Sequence, residues 1–278
     1  MSGSRLYQNY DKHLTTFKGY ADKIEKRPDV EDIHQLRVAI KKIRTNLSLM
    51  QVASCGDFQK KAHFTLFSKL FNCAGELREI QVNRALLTIL ELEESYPEEI
   101  TQLAVQHYKD HLSSKAEKSV SRFNRTLSNF NFRRLKKLNR ELNEKITGLD
   151  DELIVDKANQ FIEKQIEKIV RLRPLIDGDR ELHKVRKHLK SITEIYRLLI
   201  ELFADEDLKK RVERFKLLGR LIGEWHDLTV LISSMNCYAG SKEGIRFGPS
   251  LIMMETDIAM RSQKIKGEVS SHLDDIFR

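Results

Sequence analysis

The sequence has few of the residues that interrupt helices or cross-link a chain. Its 278 residues include four Pro, 12 Gly and three Cys, while Leu, Lys, Glu, Arg and Ile are abundant and runs of β-branched residues are scarce. Proline and glycine weaken helices, and β-branched residues favour strands. The composition therefore argues against a strand-rich domain and predicts an all-α fold.

The cysteines and the apolar residues restrict the cellular location. Cys55, Cys73 and Cys237 are an odd number without Cys-x-x-Cys spacing, so neither a disulfide framework nor a zinc knuckle is indicated. No run of 18 apolar residues occurs, and Met1–Lys12 lacks the apolar centre of an export signal. We therefore expect a cytoplasmic protein that does not span a membrane.

Sequence motifs of catalysis are also lacking. The chain has no P-loop, no His-Glu-x-x-His and no nucleophile elbow. His107 and His111 have an i, i+4 spacing that suits a metal ion, but no third ligand lies near them in the sequence. We therefore expect no catalytic residues, no metal, no cofactor and no enzyme activity.

Basic residues outnumber acidic ones. The 49 Lys and Arg residues against 41 Asp and Glu residues give a formal net charge of +8 and an isoelectric point near 9.2. A basic protein attracts anions without specifying which one. Nucleic acid, a membrane surface and polyanionic metabolites are all compatible with this charge.

Apolar residues recur at helical spacing in nine segments, which are 4–26, 31–52, 58–96, 97–129, 131–147, 151–171, 180–203, 205–235 and 250–277. Gly148–Asp151 interrupts the helical pattern near the middle of the chain. We expect one domain over 1–278, made of an N-terminal half, 1–148, and a C-terminal half, 149–278. Residues 236–249 contain three glycines and predict a mobile loop, either a surface insertion or a segment that brings Lys242 and Arg246 over an anion.

A basic motif occurs twice. The first copy consists of His34, Arg37, Lys41, Lys42 and Arg44, and the second, 149 residues later, of His183, Arg186, Lys187 and Lys190. In each copy the histidine, the arginine at i+3 and the lysine at i+7 share one stripe of a helix beside an apolar face, and Arg44 and Arg197 extend the stripes. Residues 35–48 and 184–191 contain no Asp or Glu. Like charges at this spacing repel, so we expect an outside anion to neutralise both stripes.

A second duplicated element follows each basic helix. Gly75-Glu76-Leu77-Arg78 corresponds to Gly223-Glu224-Trp225-His226 at an offset of 148 residues. A helical glycine costs about 1 kcal/mol relative to alanine, so we expect it to permit close approach to the basic helix. Arg78 and His226 then lie near the stripes, unless they pair with a carboxylate. Two matched elements at nearly one offset predict two related helical bundles about a pseudo-twofold axis.

These elements resemble the CHAD family, α-helical domains named for their histidines. The similarity rests on the two basic motifs and on Gly-x-x-Arg-acid-x-x-Val at Gly75–Val82, and it extends over nearly the whole chain. It implies two similar helical bundles that face each other across a central basic channel and bind inorganic polyphosphate there without catalysis. A cytoplasmic protein associated with polyphosphate granules, with no membrane partner, fits this resemblance.

The second half departs from the family pattern, because Ser191, Thr193 and His226 stand where the first half has Lys42, Arg44 and Arg78. We therefore expect the more highly charged first half to contribute more to binding. The expected polyphosphate ligands are His34, Arg37, Lys41, Lys42, Arg44, Arg78, His183, Arg186, Lys187, Lys190, Arg197 and His226. A second group, which either extends this surface or is a solvated face, consists of Lys115, Arg122, Arg125, Arg261 and Lys264.

Other interpretations remain at this point. Instead of binding an anion, His34 and His183 could form hydrogen bonds with neighbouring backbone atoms. Lys42 and Lys187 could simply be solvated. Nucleic acid is the alternative partner, although no aromatic residue is interleaved on the basic faces for base stacking and no known RNA or DNA module occurs. Hydrolysis of phosphate chains would need a metal or carboxylate set that the sequence lacks. Oligomeric state and chain-length preference stay open.

Overall fold

The computed structural model describes residues 5–93, 99–146, 148–176 and 178–277, and within these ranges the chain forms nine α-helices and no strand. The helices are α1 (Arg5–Lys26), α2 (Val30–Ala53), α3 (Lys60–Glu93), α4 (Glu99–Ser128), α5 (Phe132–Ile146), α6 (Asp151–Leu172), α7 (Asp179–Phe203), α8 (Glu206–Ala239) and α9 (Gly248–Ile276). The predicted all-α fold is confirmed. Ser4, Tyr96, Pro97 and Thr147, at which predicted segments begin or end, lie outside the described residues.

Side chains cap α2, which carries the first basic motif, and α8, which carries the second glycine element. Asp29 accepts hydrogen bonds from the backbone N–H groups of Glu31 and Asp32 at 2.7 and 3.3 Å, and Asp205 caps α8 in the same way. Such caps satisfy N–H groups that have no partner within the helix. The chain then reverses after α2 at Cys55 and Gly56, both with positive φ, before α3 begins.

The apolar faces predicted beside the basic stripes form the core. In α2, Leu36, Ile40, Ile43 and Leu47 are fully buried, and α7 buries Leu182, Val185, Leu189, Ile192 and Tyr196. Each such side chain contributes roughly 1.5–3 kcal/mol by leaving water. Burial of this face fixes the rotation of each helix, so the basic stripe must lie at the edge of the core.

Helices that follow one another pack together in both halves: α1 with α2, α2 with α3 and α3 with α4, then α6 with α7, α7 with α8 and α8 with α9. Between the halves, α2 contacts α7, α3 contacts α8 and α4 contacts α9. The two helices that carry the basic motifs therefore meet each other.

The segment predicted as a mobile loop is mostly ordered helix. Helix α8 continues to Ala239, a 3-10 turn spans Ile245–Phe247, and α9 begins at Gly248. Tyr238 and Phe247 are buried, because their rings pack on Tyr108 and His107 of α4 at centroid distances of 5.1 and 4.6 Å. The predicted mobile loop over 236–249 is therefore wrong, since apolar side chains anchor it.

Two charged side chains of this segment also contact α4. Arg246 Nη2 lies 3.4 Å from His107 Nε2, and Glu243 lies 3.2 Å from His111 Nδ1. The i, i+4 histidines that suited a metal ion thus contact an arginine and a carboxylate. Among the described residues, no group of three or more His, Cys, Asp or Glu side chains is arranged to hold a metal ion.

No described helix combines the length and the apolar composition that crossing a membrane requires.

Candidate functional site

Arg37 is held against α3. Its Nη1 donates to the Phe71 carbonyl oxygen at 2.6 Å, and its guanidinium lies 4.0 Å from the centroid of the Phe71 ring. A Cβ at Gly75 would lie 3.0 Å from Arg37 Nη1. Burial, and after it the charge of Arg44, lower the pKa of Arg37. Gly75 therefore makes room for an arginine side chain, which corrects the expectation that this glycine serves close helix approach.

Lys41 and Arg44 share a carboxylate that comes from the other half. Glu194 of α7 lies 3.0 Å from Lys41 Nζ and 4.0 Å from Arg44 Nη2, and it accepts a hydrogen bond from Thr45 Oγ1 at 3.3 Å. The guanidinium of Arg44 also lies 5.3 Å from the centroid of the Phe71 ring. Glu194 lies just beyond the acid-free segment of its own helix, so the protein neutralises part of the α2 stripe itself.

Lys42 points to a different acidic group. Its Nζ lies 2.7 Å from Glu201 Oε1, and the other oxygen of Glu201 lies 3.1 Å from His13 Nε2 and 3.4 Å from Asn9 Nδ2. The hydrogen bond with His13 is the largest of the effects that lower the pKa of Glu201 to about 2. Together with Glu194, this contact corrects the expectation that only an outside anion neutralises the stripes.

The cations of α7 have fewer acidic partners. Burial lowers the pKa of Arg186, and the charge of Asp227 opposes that change. Burial, followed by the charge of Lys41, lowers the pKa of Lys190 to about 8, although Glu194 acts in the opposite direction. A half-buried lysine among other cations loses its proton easily, and a bound anion would restore its charge.

Histidines lie next to these cations. The rings of His183 and His226 are 5.2 Å apart between centroids and nearly perpendicular, and His183 packs on Trp225 at 4.7 Å. Burial, and after it Arg186, lower the pKa of both histidines, that of His226 to about 4. Both rings therefore take up a proton less readily than an ordinary histidine does.

His34 and His226 each bury an Nδ1 atom that has no hydrogen-bond partner among the described residues. A buried donor without a partner costs more than an unused acceptor. The geometry thus favours the tautomer that has its proton on Nε2. The expected alternative of a backbone hydrogen bond does not involve this nitrogen of His34.

A cavity of about 350 Å³ lies between α2, α7 and α8. Six cations line it and no acidic residue does; they are Lys41, Arg186, Lys190, Arg197, Lys216 and Arg220. The remaining walls are formed by apolar side chains, Thr193 and two glycines, Gly219 and Gly223. The cavity therefore combines positive charge from both halves with space for a ligand.

Two of these cations were missed in the sequence. Lys216 and Arg220 precede Gly223 by seven and three residues, so all three lie on one face of α8. The helical wheel around the duplicated glycine would have revealed them. Their positive charge compensates for that missing at Ser191 and Thr193, which stand in α7 where α2 has cations.

A third cation missed in the sequence is Lys60, which donates to Ser48 Oγ at 3.2 Å. Burial, followed by the charge of Arg44, lowers the pKa of Lys60.

The two halves differ at one corresponding position beside the cavity. At the offset of 148 residues, Gly219 of α8 corresponds to Phe71 of α3. Phe71 fills the space beside Arg37 and Arg44 in the first half. A Cβ at Gly219 or Gly223 would meet no atom within 4 Å. Arg186 therefore borders open space where Arg37 borders an aromatic ring.

The other predicted ligands surround this cavity or lie away from it. Arg78 is exposed beside Gln81, and its charge opposes the burial that raises the pKa of Asp227. Glu76, one carboxylate near Arg78 in the sequence, pairs with Arg122 at 2.8 Å. The cavity between α2, α7 and α8 is not lined by His34, Arg78, Lys187, His226, Lys115, Arg122, Arg125, Arg261 or Lys264. Arg125 lines a separate cavity formed with residues 24–28.

Comparison with known proteins agrees with this architecture. A sequence model of the CHAD domain matches residues 9–235, which is most of the chain. The chain belongs to the CHAD domain family. The match includes both basic motifs and both glycine elements, and it ends in the last turns of α8. A search of curated proteins finds no match to this CHAD chain.

Solved structures share the fold. The crystal structure of the CHAD domain from the plant Ricinus communis has a TM-score of 0.74 at 15% identity, and the alignment covers 97% of this chain and 90% of that one. PptA from Streptomyces chartreusis has a TM-score of 0.70 at 13% identity, with 96% and 99% of the two chains covered. At these identities the likeness extends to the fold alone.

Proposed function

We propose that this protein binds inorganic polyphosphate, without catalysis, in a basic channel between its two halves. The observation that carries the proposal is the 350 Å³ cavity that six cations line without an acidic residue. A solvated surface would mix charges of both signs. Lys41 and Lys216 have carboxylate partners outside the lining, Glu194 and Glu213, at 3.0 and 3.2 Å. The other four cations repel one another, and an anion in the cavity stabilises them.

The residue types suit a chain of phosphates. Arg186, Arg197 and Arg220 offer planar forks that bind two oxygens each, and Lys41, Lys190 and Lys216 offer mobile point charges. A phosphate chain has oxygens on all sides, so donors on several cavity walls can bind it simultaneously. Half-burial of Lys190 and Arg186 strengthens their attraction because less water screens it.

Family membership supports the same ligand, because CHAD domains are associated with polyphosphate binding. We also propose that residues 1–278 form one domain whose halves, 1–148 and 149–278, are related by a pseudo-twofold axis. The pairing of α2 with α7, α3 with α8 and α4 with α9 supports this relation. A twofold axis brings each element next to its own counterpart, as these contacts do.

The test is a titration of the purified protein with long-chain polyphosphate at several salt concentrations. We expect the logarithm of the binding constant to fall linearly with the logarithm of the salt concentration, because phosphate contacts release counterions. The variant Arg186→Glu with Lys190→Glu should lose binding. A control variant with the same charge change, Arg133→Glu with Lys137→Glu, alters only exposed positions on α5 and should bind normally.

A competition titration distinguishes polyphosphate from nucleic acid as the preferred ligand. Duplex DNA or RNA, added at equal phosphate concentration, should not displace bound polyphosphate, since the cavity presents cations but no exposed aromatic stack for bases. Displacement by either nucleic acid, or equal loss of binding in the α5 control, would contradict the proposal. Release of phosphate above a no-protein control, lost in the double variant, would contradict its noncatalytic part.

A further inference from the structure

Three cavities meet at the contact of α2 with α7. Besides the 350 Å³ cavity, one of about 230 Å³ is lined by Arg44 and Lys60, and one of about 180 Å³ by Lys41, Lys42 and Arg197. Lys41 and Arg197 line both the largest and the smallest cavity. Thr45 and Glu194 line both the smallest and the Arg44 cavity. The cavities thus form a row with shared walls.

Glu194 and Glu201 are the acidic side chains that line these cavities, and Glu194 is the one that lines two of them. Its carboxylate lies 3.0 Å from Lys41 Nζ and 4.0 Å from Arg44 Nη2, and Thr45 Oγ1 donates to it at 3.3 Å. The side chain is only 13% exposed, and its charge also acts on Lys190. A carboxylate held by two cations and a hydroxyl has the surroundings that a phosphate group would have.

We propose that the Glu194 carboxylate occupies a phosphate position in the unliganded channel, and that a polyphosphate chain must displace it to run from Arg44 and Lys60 to Arg186 and Lys190. This inference rests on the proposed function and adds a specificity-determining residue to it. Rotation about the side-chain torsions of a glutamate moves the carboxylate by several ångströms without moving the helix.

Displacement of Glu194 selects for chain length. A short phosphate that enters at Lys41 must break the contacts of Glu194 and gains few others. A long chain breaks the same contacts but also reaches the cations of both neighbouring cavities, so its gain exceeds the cost. Glu194 therefore lowers both affinities by a similar factor and sets a threshold, which only chains long enough to reach several cavities exceed.

Glu201 differs from Glu194 in its position. It pairs with Lys42 and lies against His13 and Asn9 of α1, and it lines only the smallest of the three cavities. The smallest cavity joins the other two, so a chain passes Glu201 as well, but only Glu194 also lines the Arg44 cavity. The contacts of Glu201 hold α1, α2 and α7 together, and the selecting role is assigned to Glu194.

The experiment compares Glu194→Gln with Glu163→Gln, an exposed position on α6 that changes the net charge equally. Affinities for tripolyphosphate and for long-chain polyphosphate are measured by calorimetry. We expect Glu194→Gln to bind both tripolyphosphate and long chains at least tenfold more tightly than the native protein does, because neither ligand then has to displace a carboxylate charge. Glu163→Gln should change either affinity by less than about twofold, as distant surface charges do at physiological salt.

Thermal unfolding gives a second measurement on the same variants. Without ligand, Glu194→Gln should melt at a lower temperature than the native protein, because Lys41, Arg44 and Lys190 lose their counterion. Long-chain polyphosphate should then raise the melting temperature of Glu194→Gln by more than it raises that of the native protein. If Glu194→Gln does not fold, Glu194→Asp retracts the carboxylate and should show the same gain in affinity to a smaller extent.

Two results separate this inference from the proposed function. If the native protein binds long-chain polyphosphate and Glu194→Gln matches Glu163→Gln with both ligands, or binds more weakly, the role of Glu194 is refuted and the proposed function stands. If the folded native protein and both variants fail to bind long chains, the proposed function itself is refuted.

Discussion

Corresponding arginines of the two halves have different surroundings. Arg37 donates to the Phe71 carbonyl and lies on the Phe71 ring, in space that Gly75 leaves open. Its counterpart Arg186 lines a cavity whose wall contains Gly219, at the position that corresponds to Phe71. The arginine of the motif therefore packs against α3 in the first half and lines a ligand cavity in the second. We expect the second half to contribute more to polyphosphate binding than its sequence indicates.

The largest expected effect comes from reversing the charge of each arginine in turn. Arg186→Glu should weaken the binding of long-chain polyphosphate by at least a hundredfold with little change in stability, because it puts an anion in the cavity wall. Arg37→Glu should instead lower the melting temperature, since a carboxylate beside the Phe71 carbonyl is repelled and the contact with the ring is lost. Titration and thermal unfolding of both variants measure the contrast. If the two variants changed affinity and melting temperature equally, the proposed difference between a packing role for Arg37 and a binding role for Arg186 would be contradicted.

Filling the cavity makes the second half resemble the first. Gly219→Phe puts an aromatic ring where the first half has one, and we expect polyphosphate affinity to fall at least tenfold while the helical circular dichroism spectrum is retained. Gly267→Phe on α9 is the matched control, because a Cβ there also meets no atom within 4 Å and the residue is distant from the cavity lining. Unchanged affinity in Gly219→Phe would show that the cavity is not the binding site.

The pH dependence of binding tests the charge crowding around Lys190. Its pKa of about 8 means that the unliganded protein must take up a proton to bind an anion above that pH, so affinity should fall between pH 7 and pH 9 by about tenfold. Lys190→Arg stays charged over this range and should bind with nearly constant affinity. Calorimetry in buffers of different ionisation enthalpy measures the proton uptake; a flat native profile would contradict the lowered pKa.

The same group affects stability with the opposite dependence on pH. In the unfolded chain Lys190 keeps its proton up to the ordinary value of 10.5, whereas in the folded chain it releases it near pH 8. Because the unfolded state binds more protons between these values, this group stabilises the fold as the pH rises through that window. Lys190→Met should therefore raise the melting temperature at pH 7 and weaken binding, an exchange of function for stability.

The smallest expected effect distinguishes the two glycines. Gly223→Ala should raise the free energy of unfolding by about 1 kcal/mol, because alanine favours helix and its Cβ meets no atom within 4 Å. Gly75→Ala should give no such gain, since its Cβ would lie 3.0 Å from Arg37 Nη1. Chemical denaturation of both variants measures the difference. Equal stabilisation would mean that Arg37 does not depend on Gly75.

The sequence predicted the features that depend on periodicity. Apolar spacing located the helices and the buried face of α2, and Gly148–Asp151 marked the break between α5 and α6. The contact partners of each stripe depend on tertiary packing, which a helical wheel does not contain. Glu194 lies on α7, far in sequence from the lysine it contacts, and Lys216 and Arg220 became relevant only once α8 was packed beside α7. The anchoring of residues 236–249 by Tyr238 and Phe247 was likewise hidden among glycines.

The most direct test is a crystal structure of the protein with bound polyphosphate. We predict a row of phosphates in the cavity between α2, α7 and α8, within hydrogen-bond distance of Arg186 and Lys190, that continues past Lys41 with the Glu194 carboxylate moved aside. Phosphates along the exposed face of α5, with the cavity free of phosphate, would contradict the account.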